Sequence, residues 1–126
     1  MPVRSLTSSV MRWPDAEAVH LAALAWASAL AQREPGVRAA GYFGSYARGD
    51  AGVGSDLDLV VIVQGSALSF ERRAAAWPLE HLPVPAEVLV FTVSEWEGLP
   101  VRRPRFAQVL RDETRWLVGD PRSGGR

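Results

Sequence analysis

The sequence predicts an α/β domain in which helices alternate with strands and cover a sheet. Two observations carry this prediction. The stretch from Asp15 to Arg33 is rich in Ala and Leu and places apolar residues at helical spacing. The runs Leu57 to Val63 and Glu87 to Val93 are aliphatic almost throughout, which is typical of buried strands.

The first half of the chain is expected to hold one long helix and two strands. Asp15 is a candidate cap for the helix, which must end before Pro35-Gly36. A short strand, a brief helical turn and a loop should follow in that order, at Val37 to Phe43, Ser45 to Gly49 and Ala51 to Ser55. The strand from Leu57 to Val63 comes next and should be buried on both faces.

The second half is divided by prolines. Ser69 to Trp77 is expected to be helical up to Pro78. After the strand at Glu87 to Val93, the Ser94-Glu95-Trp96-Glu97 sequence has the capping-box pattern of a new helix, whose first turns Pro100 should keep short. A helix, a short strand and a mobile tail should complete the chain, at Arg103 to Glu113, Trp116 to Val118 and Asp120 to Arg126.

Length and composition narrow the class of protein. A chain of 126 residues is expected to form one domain over residues 1–126. The absence of Cys excludes disulfides, thiolate zinc sites and cysteine nucleophiles. Fourteen basic residues balance fourteen acidic ones, which argues against general binding to nucleic acid or membranes. No apolar stretch is long enough to span a bilayer and residues 1–11 lack a signal-peptide core, so a cytoplasmic protein is expected.

All fourteen basic residues are Arg, and the chain contains no Lys. A Walker A phosphate loop requires Lys, as do Schiff-base chemistry and lysyl-nucleotide intermediates. Any phosphate bound here must therefore be held by backbone N–H groups, Ser, Arg or a metal ion.

Two sequence features could form one site. Asp56 and Asp58 are two residues apart at the start of a strand, so both side chains should point to the same face, about 7 Å apart along the chain. Gly44-Ser45 follows the preceding strand, and a Gly turn of this kind exposes N–H groups that suit a phosphate. Each feature alone is more often a solvated pair of acids or an ordinary turn. Together they favour a site for a metal-bound phosphate.

The segments Tyr42-Phe43-Gly44-Ser45-Tyr46-Ala47-Arg48-Gly49-Asp50 and Gly54-Ser55-Asp56-Leu57-Asp58-Leu59 resemble the signature of the DNA polymerase β-like nucleotidyltransferases. The closest resemblance is to the stand-alone minimal members. It implies a short mixed sheet with flanking helices, a core over about residues 15–118 and a flexible tail at 120–126. It also implies Mg²⁺-dependent transfer of a nucleoside monophosphate to a hydroxyl acceptor, with AMP from ATP as the expected case.

The resemblance assigns roles residue by residue. Asp56 and Asp58 correspond to carboxylates that bind two Mg²⁺ ions, and Gly44 and Ser45 to the turn that holds the phosphates of ATP or another nucleoside triphosphate. Glu87 stands where the family usually has a third carboxylate, an Asp, which completes the metal site and helps to deprotonate the acceptor. Arg48 is expected either to contact the triphosphate or to form an ion pair with Asp50 or with the Asp56 and Asp58 cluster.

The resemblance also suggests a partner. Stand-alone members typically pair with a separate helical HEPN protein, often as antitoxin and toxin, and this implies a hetero-complex in which the partner carries the acceptor. The alternative is a non-catalytic nucleotide-binding subunit that neutralises or chaperones its partner by contact. In that case the change from Asp to Glu at position 87 would mark an inactive site.

Overall fold

The computed structural model describes residues 14–121, with four β-strands and five α-helices in that range. Along the chain these are α1 (Ala16–Arg33), β1 (Val37–Phe43), α2 (Ser45–Arg48), β2 (Leu57–Val63), α3 (Phe70–Arg73), β3 (Ala86–Thr92), α4 (Val93–Arg102), α5 (Pro104–Glu113) and β4 (Arg115–Val118). The expectations for residues 1–11 and for the tail beyond residue 121 lie outside the described residues. The single-domain assignment to 1–126 stays a prediction.

The strands form one mixed sheet in the order β3-β2-β1-β4. β1 runs antiparallel to both β2 and β4, whereas β2 and β3 are parallel. The end of β1 therefore lies beside the beginnings of β2 and β3, and we call this end of the sheet the Asp58 edge. The predicted class, an α/β fold with a short mixed sheet and flanking helices, is confirmed.

Helices cover both faces of the sheet, and each face has its own core. On one face, α1 buries Val19, Ala23, Ala27 and Leu30 against alternate residues of the strands. The other face packs against α4 and α5, with Val60, Phe91, Leu99, Ala107 and Leu110 at its centre. β2 contributes to both cores, which explains its continuous aliphatic sequence. No described helix combines the length and apolar character that a bilayer crossing requires.

Two expectations for α4 are wrong. The capping box consists of Thr92 and Glu95, not Ser94 and Glu97: Glu95 N–H donates to the Thr92 hydroxyl at 3.1 Å, and Thr92 N–H donates to the Glu95 carboxylate at 2.9 Å. Pro100 does not keep the first turns of the helix short, because α4 continues to Arg102. Pro100 removes one hydrogen bond, but the bond from Arg103 N–H to the Leu99 carbonyl, 2.7 Å long, still closes the last turn.

The predicted helix at Ser69 to Trp77 is shorter and less regular than expected. α3 covers only Phe70–Arg73, and one 3₁₀ turn, Ala74–Ala76, follows it. Trp77 is extended, with φ −122° and ψ 116°. The following Pro78 disfavours helical backbone at the residue before it, so the helix cannot continue.

Candidate functional site

Gly44 joins β1 to α2 in a conformation that side chains disfavour. Its φ is +81° and its ψ is −153°, a region that is essentially restricted to Gly. A Cβ built on Gly44 would also collide with the Asp58 carboxylate oxygen Oδ2. Gly is thus required here both for the turn and for the close approach of the backbone to Asp58.

The turn after Gly44 is closed by its own hydrogen bonds. The Gly44 carbonyl accepts from Ala47 N–H at 3.0 Å and from Arg48 N–H at 2.9 Å. Gly49 ends α2 with a left-handed φ of +87°. The amides at the start of a helix have no carbonyl partner within it, so Ser45 presents an N–H group beside its hydroxyl.

The three acidic candidates lie near one another at the Asp58 edge. Asp58 is paired with Phe43 on β1 and with Glu87 on β3, so the residue before Gly44 and the third acid both flank it. Residues paired across neighbouring strands point to the same face, about 4.8 Å apart. Asp56 precedes β2 by one residue, and its charge acts on Asp58. Asp58 is half-buried, whereas Asp56 and Glu87 are exposed.

The electrostatics of Asp58 reflect this crowding. Burial raises the pKa of the Asp58 carboxyl above its ordinary value, and the negative charges of Glu87 and Asp56 raise that pKa further. The Arg48 charge acts in the opposite direction but does not cancel these effects. A carboxylate in this position is stabilised by an added cation.

The donor set suits Mg²⁺, because it consists of carboxylate oxygens on neighbouring strand positions. Burial and the charges of Glu87 and Asp56 raise the pKa of Asp58, and a cation bound beside it would oppose that effect. Within residues 14–121, however, no group of three or more His, Asp and Glu side chains is arranged to hold a metal ion. The backbone thus brings Asp58 and Glu87 side by side, while the three carboxylates do not converge on one point.

Arg48 forms ion pairs from the end of α2. Its Nε donates to Asp50 Oδ2 at 3.2 Å, which confirms the expected pair with Asp50. The other contact was not foreseen: Nη1 donates to Glu113 Oε1 at 3.3 Å, across 65 residues of sequence. These two carboxylates raise the pKa of the Arg48 guanidinium. Arg48 makes no direct ion pair with Asp56 or Asp58 among the described residues.

The two tyrosines of the motif are core residues. Tyr42 and Tyr46 are 2% and 5% exposed, so neither is free to stack on a base. The Tyr42 hydroxyl forms a 2.8 Å hydrogen bond with His20 Nδ1, and burial raises the pKa of Tyr42. These two tyrosines therefore pack β1 and α2 into the core.

Comparison with known proteins identifies the enzyme class to which the chain belongs. The profile of the nucleotidyltransferase domain matches residues 26–117, which run from α1 into β4 and include all six candidate site residues. The protein is thus a transferase of nucleotidyl groups. It belongs to the nucleotidyltransferase domain family. A search of curated proteins finds no significant match.

Two solved structures resemble the fold. A candidate nucleotidyltransferase from Sulfolobus solfataricus has a TM-score of 0.54 and 19% identity, over 84% of this chain and 89% of that one. The crystal structure of a toxin–antitoxin with AMP-PNP has a TM-score of 0.51 and 16% identity, over 81% of this chain and 77% of that one. At these identities the similarity supports the fold, and the family assignment rests on the profile match.

Proposed function

We propose that this protein transfers a nucleoside monophosphate, AMP from ATP, to a hydroxyl acceptor in a Mg²⁺-dependent reaction. The observation that carries the proposal is the order of residues across the Asp58 edge. Gly44 directly follows β1, whose last residue is paired with Asp58 on β2, and Asp58 is paired with Glu87 on β3. A phosphate-binding turn, a metal-binding acid and a base would thus lie next to one another across the sheet.

In this proposal the β1 side of the edge binds the triphosphate. The positive φ of Gly44 opens the turn, and the Ser45 hydroxyl and N–H group donate to the β- and γ-phosphates. Arg48 adds a positive charge beside them, where negative charge develops on the departing pyrophosphate.

Asp56, Asp58 and Glu87 would hold two Mg²⁺ ions. Bound Mg²⁺ would neutralise both the carboxylates and the triphosphate and would stabilise charge in the transition state. The raised pKa of Asp58 supports this assignment, because it marks a site where negative charge is crowded.

The strand order also suggests the side from which the acceptor attacks the α-phosphate. Phosphoryl-type displacement needs the attacking and leaving oxygens roughly in line. With pyrophosphate leaving on the Gly44 side, the acceptor oxygen approaches from the Glu87 side. That oxygen forms a bond to the α-phosphorus, the bond from the α-phosphorus to the bridging oxygen breaks, and pyrophosphate leaves with that electron pair. Glu87 takes the acceptor's proton.

We further propose that the acceptor hydroxyl belongs to a partner protein of the helical HEPN type, in an antitoxin-like hetero-complex. The motif resemblance supports this, and the fold is similar to a chain of a toxin–antitoxin crystallised with AMP-PNP. That likeness is one of fold, so the partner needs its own test.

One observation favours a second candidate, a nucleotide-binding subunit that acts on its partner by contact alone. Within residues 14–121 the carboxylates are not arranged as a three-ligand metal site. Such a subunit would bind nucleotide without transferring it.

Label transfer separates the two candidates. The full chain, co-purified with a HEPN-type partner, is incubated with Mg²⁺ and ATP labelled at the α-phosphate. We expect label on the partner together with released pyrophosphate, both abolished by Asp58→Ala and strongly reduced by Glu87→Ala. The exposed Glu97→Ala serves as the matched control and should retain activity. Nucleotide binding without any transfer would support the contact-only candidate and refute the enzyme mechanism.

A further inference from the structure

Glu113 reaches the candidate site from a distant part of the chain. It is the last residue of α5, and its carboxylate contacts the Arg48 guanidinium; within residues 14–121 the other carboxylate that contacts Arg48 is that of Asp50. Asp50 lies two residues beyond Arg48, and its N–H donates to the Ser45 carbonyl at the start of the same turn. Glu113 is the only one of these two partners that ties Arg48 to another element of the fold.

Local helix energetics do not explain an acid at this position. The C-terminal end of a helix carries partial negative charge, so Arg111 is favourable in the last turn of α5 and Glu113 is not. Fold stability gives no strong reason either. The side chains of Arg48 and Glu113 are 47% and 26% exposed, and ion pairs in such surroundings contribute little to folding.

The backbone that carries Glu113 is fixed relative to the phosphate turn. Thr114 N–H closes α5 on the Leu110 carbonyl at 3.2 Å, and β4 then pairs Arg115 with Tyr42 of β1. The backbones of β1 and β4 approach each other closely here, because a Cβ on Gly41 would collide with the Arg115 carbonyl oxygen. The backbone that carries Glu113 is therefore anchored to β1, the strand that directly precedes Gly44.

We propose that Glu113 is a positioning residue, which holds the Arg48 guanidinium in the place where it meets the phosphates of the nucleotide. This role rests on the proposed function. Asp50 belongs to the same turn as Arg48. Glu113 lies on α5 and therefore holds the guanidinium relative to the rest of the fold. Without Glu113 the guanidinium keeps its charge but loses its fixed direction.

Nucleotide affinity tests the proposal in the full chain. The probe is Mg²⁺ with adenosine 5′-(α,β-methylene)triphosphate, which cannot be cleaved at the α-phosphate, and Kd is measured by calorimetry. We expect Arg48→Gln to raise Kd about tenfold or more, the effect of losing a charged hydrogen bond. Glu113→Ala should raise Kd about two- to fivefold, and Glu113→Gln, which keeps an acceptor oxygen, should raise it less.

Asp112 provides the matched control, because it is an exposed acid next to Glu113 on the same helix. Asp112→Ala should leave Kd unchanged. All these variants should melt within about 3 °C of the unaltered chain, since exposed ion pairs contribute little to stability. A loss of nucleotide affinity in Glu113→Ala with melting unchanged is the result that a purely structural role would not produce.

A double-mutant cycle decides whether Glu113 acts through Arg48. We expect Glu113→Ala to cause no further loss in the Arg48→Gln background. Additive losses, or an unchanged Kd in Glu113→Ala while Arg48→Gln is impaired, would overturn the positioning role alone. An unchanged Kd in Arg48→Gln would remove the phosphate contact of Arg48 and with it the positioning role. Failure of the unaltered chain to bind the probe would instead refute the proposed function, and the positioning role with it.

Discussion

Replacing Asp58 by Asn should make the free protein more stable while it removes the proposed activity. Asp58 is half-buried, and its charge is opposed by Glu87 on the neighbouring strand and by Asp56 two residues before it. Asn has nearly the same shape without the charge. A site that places like charges close together for function lowers the stability of the fold, so neutralising one of those charges should raise the stability.

The size of the gain follows from the neighbours of Asp58. Cross-strand side-chain pairs typically contribute about 0.2–1 kcal/mol, and like charges directly opposite each other are destabilising. Glu87 is such a neighbour, Asp56 adds a second charge, and Arg48 offsets part of the repulsion. We therefore expect Asp58→Asn to raise the free energy of unfolding by about 1 kcal/mol at neutral pH.

The gain should depend on pH in a defined direction. Because the folded pKa of Asp58 is raised, the folded protein binds a proton there more tightly than the unfolded chain does. Below the unfolded pKa, about 3.9, the carboxyl is neutral in both states and the Asn variant has no advantage. As pH rises through the raised folded pKa, wild-type Asp58 ionises at a cost and the advantage of Asn reaches its full value.

Urea unfolding of both proteins at pH 7 and near pH 3.5, without metal, measures this difference. Glu97→Gln, an exposed acid on α4, is the control and should change stability by less than about 0.5 kcal/mol. Added Mg²⁺ should stabilise the wild type more than Asp58→Asn, since a ligand stabilises the state that binds it. A loss of stability in Asp58→Asn at pH 7, or a gain that is equal at both pH values, would refute the charge-crowding explanation.

Two further substitutions test the framework around the site. Gly44→Ala should lower the free energy of unfolding by about 1–3 kcal/mol in urea titrations, because Gly44 has a positive φ and its Cβ would meet the Asp58 carboxylate. Gly52→Ala, where the Cβ would enter open space, is the control, and an equal loss of stability in both variants would contradict this reasoning. Arg73→Ala should cost about 2–3 kcal/mol, because Arg73 is 7% exposed and makes a bidentate pair with Glu95. The exposed Arg72→Ala should have little effect, and a similar loss there would argue against a stabilising role of the partly buried pair.

The strands and the pair Asp56 and Asp58 could be predicted from sequence because their signals are local. β2 is aliphatic because it is buried on both faces, and its predicted limits, Leu57 to Val63, are those observed. β1 is also as predicted, and with the two strands antiparallel, Gly44 had to lie near Asp58. The pairing of Asp58 with Glu87 was expected only from the family resemblance, since sequence alone does not give strand order.

Other features depend on contacts that sequence spacing does not reveal. The approach of Glu113 to Arg48 spans 65 residues and depends on how β4 packs against Gly41. No local signal marks Glu113, which resembles any other acid at the end of a helix.

The capping box shows a different limit of sequence reasoning. Thr92 with Glu95 and Ser94 with Glu97 fit the same four-residue pattern. The pairing of Thr92 with Val63 fixes where β3 ends, and this tertiary contact selects the first pair.

The central claim is that one edge of the sheet holds both the triphosphate and its metal ions. The most direct measurement is a crystal structure of the full chain with Mn²⁺ and adenosine 5′-(α,β-methylene)triphosphate, in which anomalous scattering locates the metal. We predict metal peaks coordinated by Asp56, Asp58 and Glu87, with the β- and γ-phosphates against Gly44 and Ser45. A nucleotide bound elsewhere, or metal peaks away from Asp56 and Asp58, would contradict the claim.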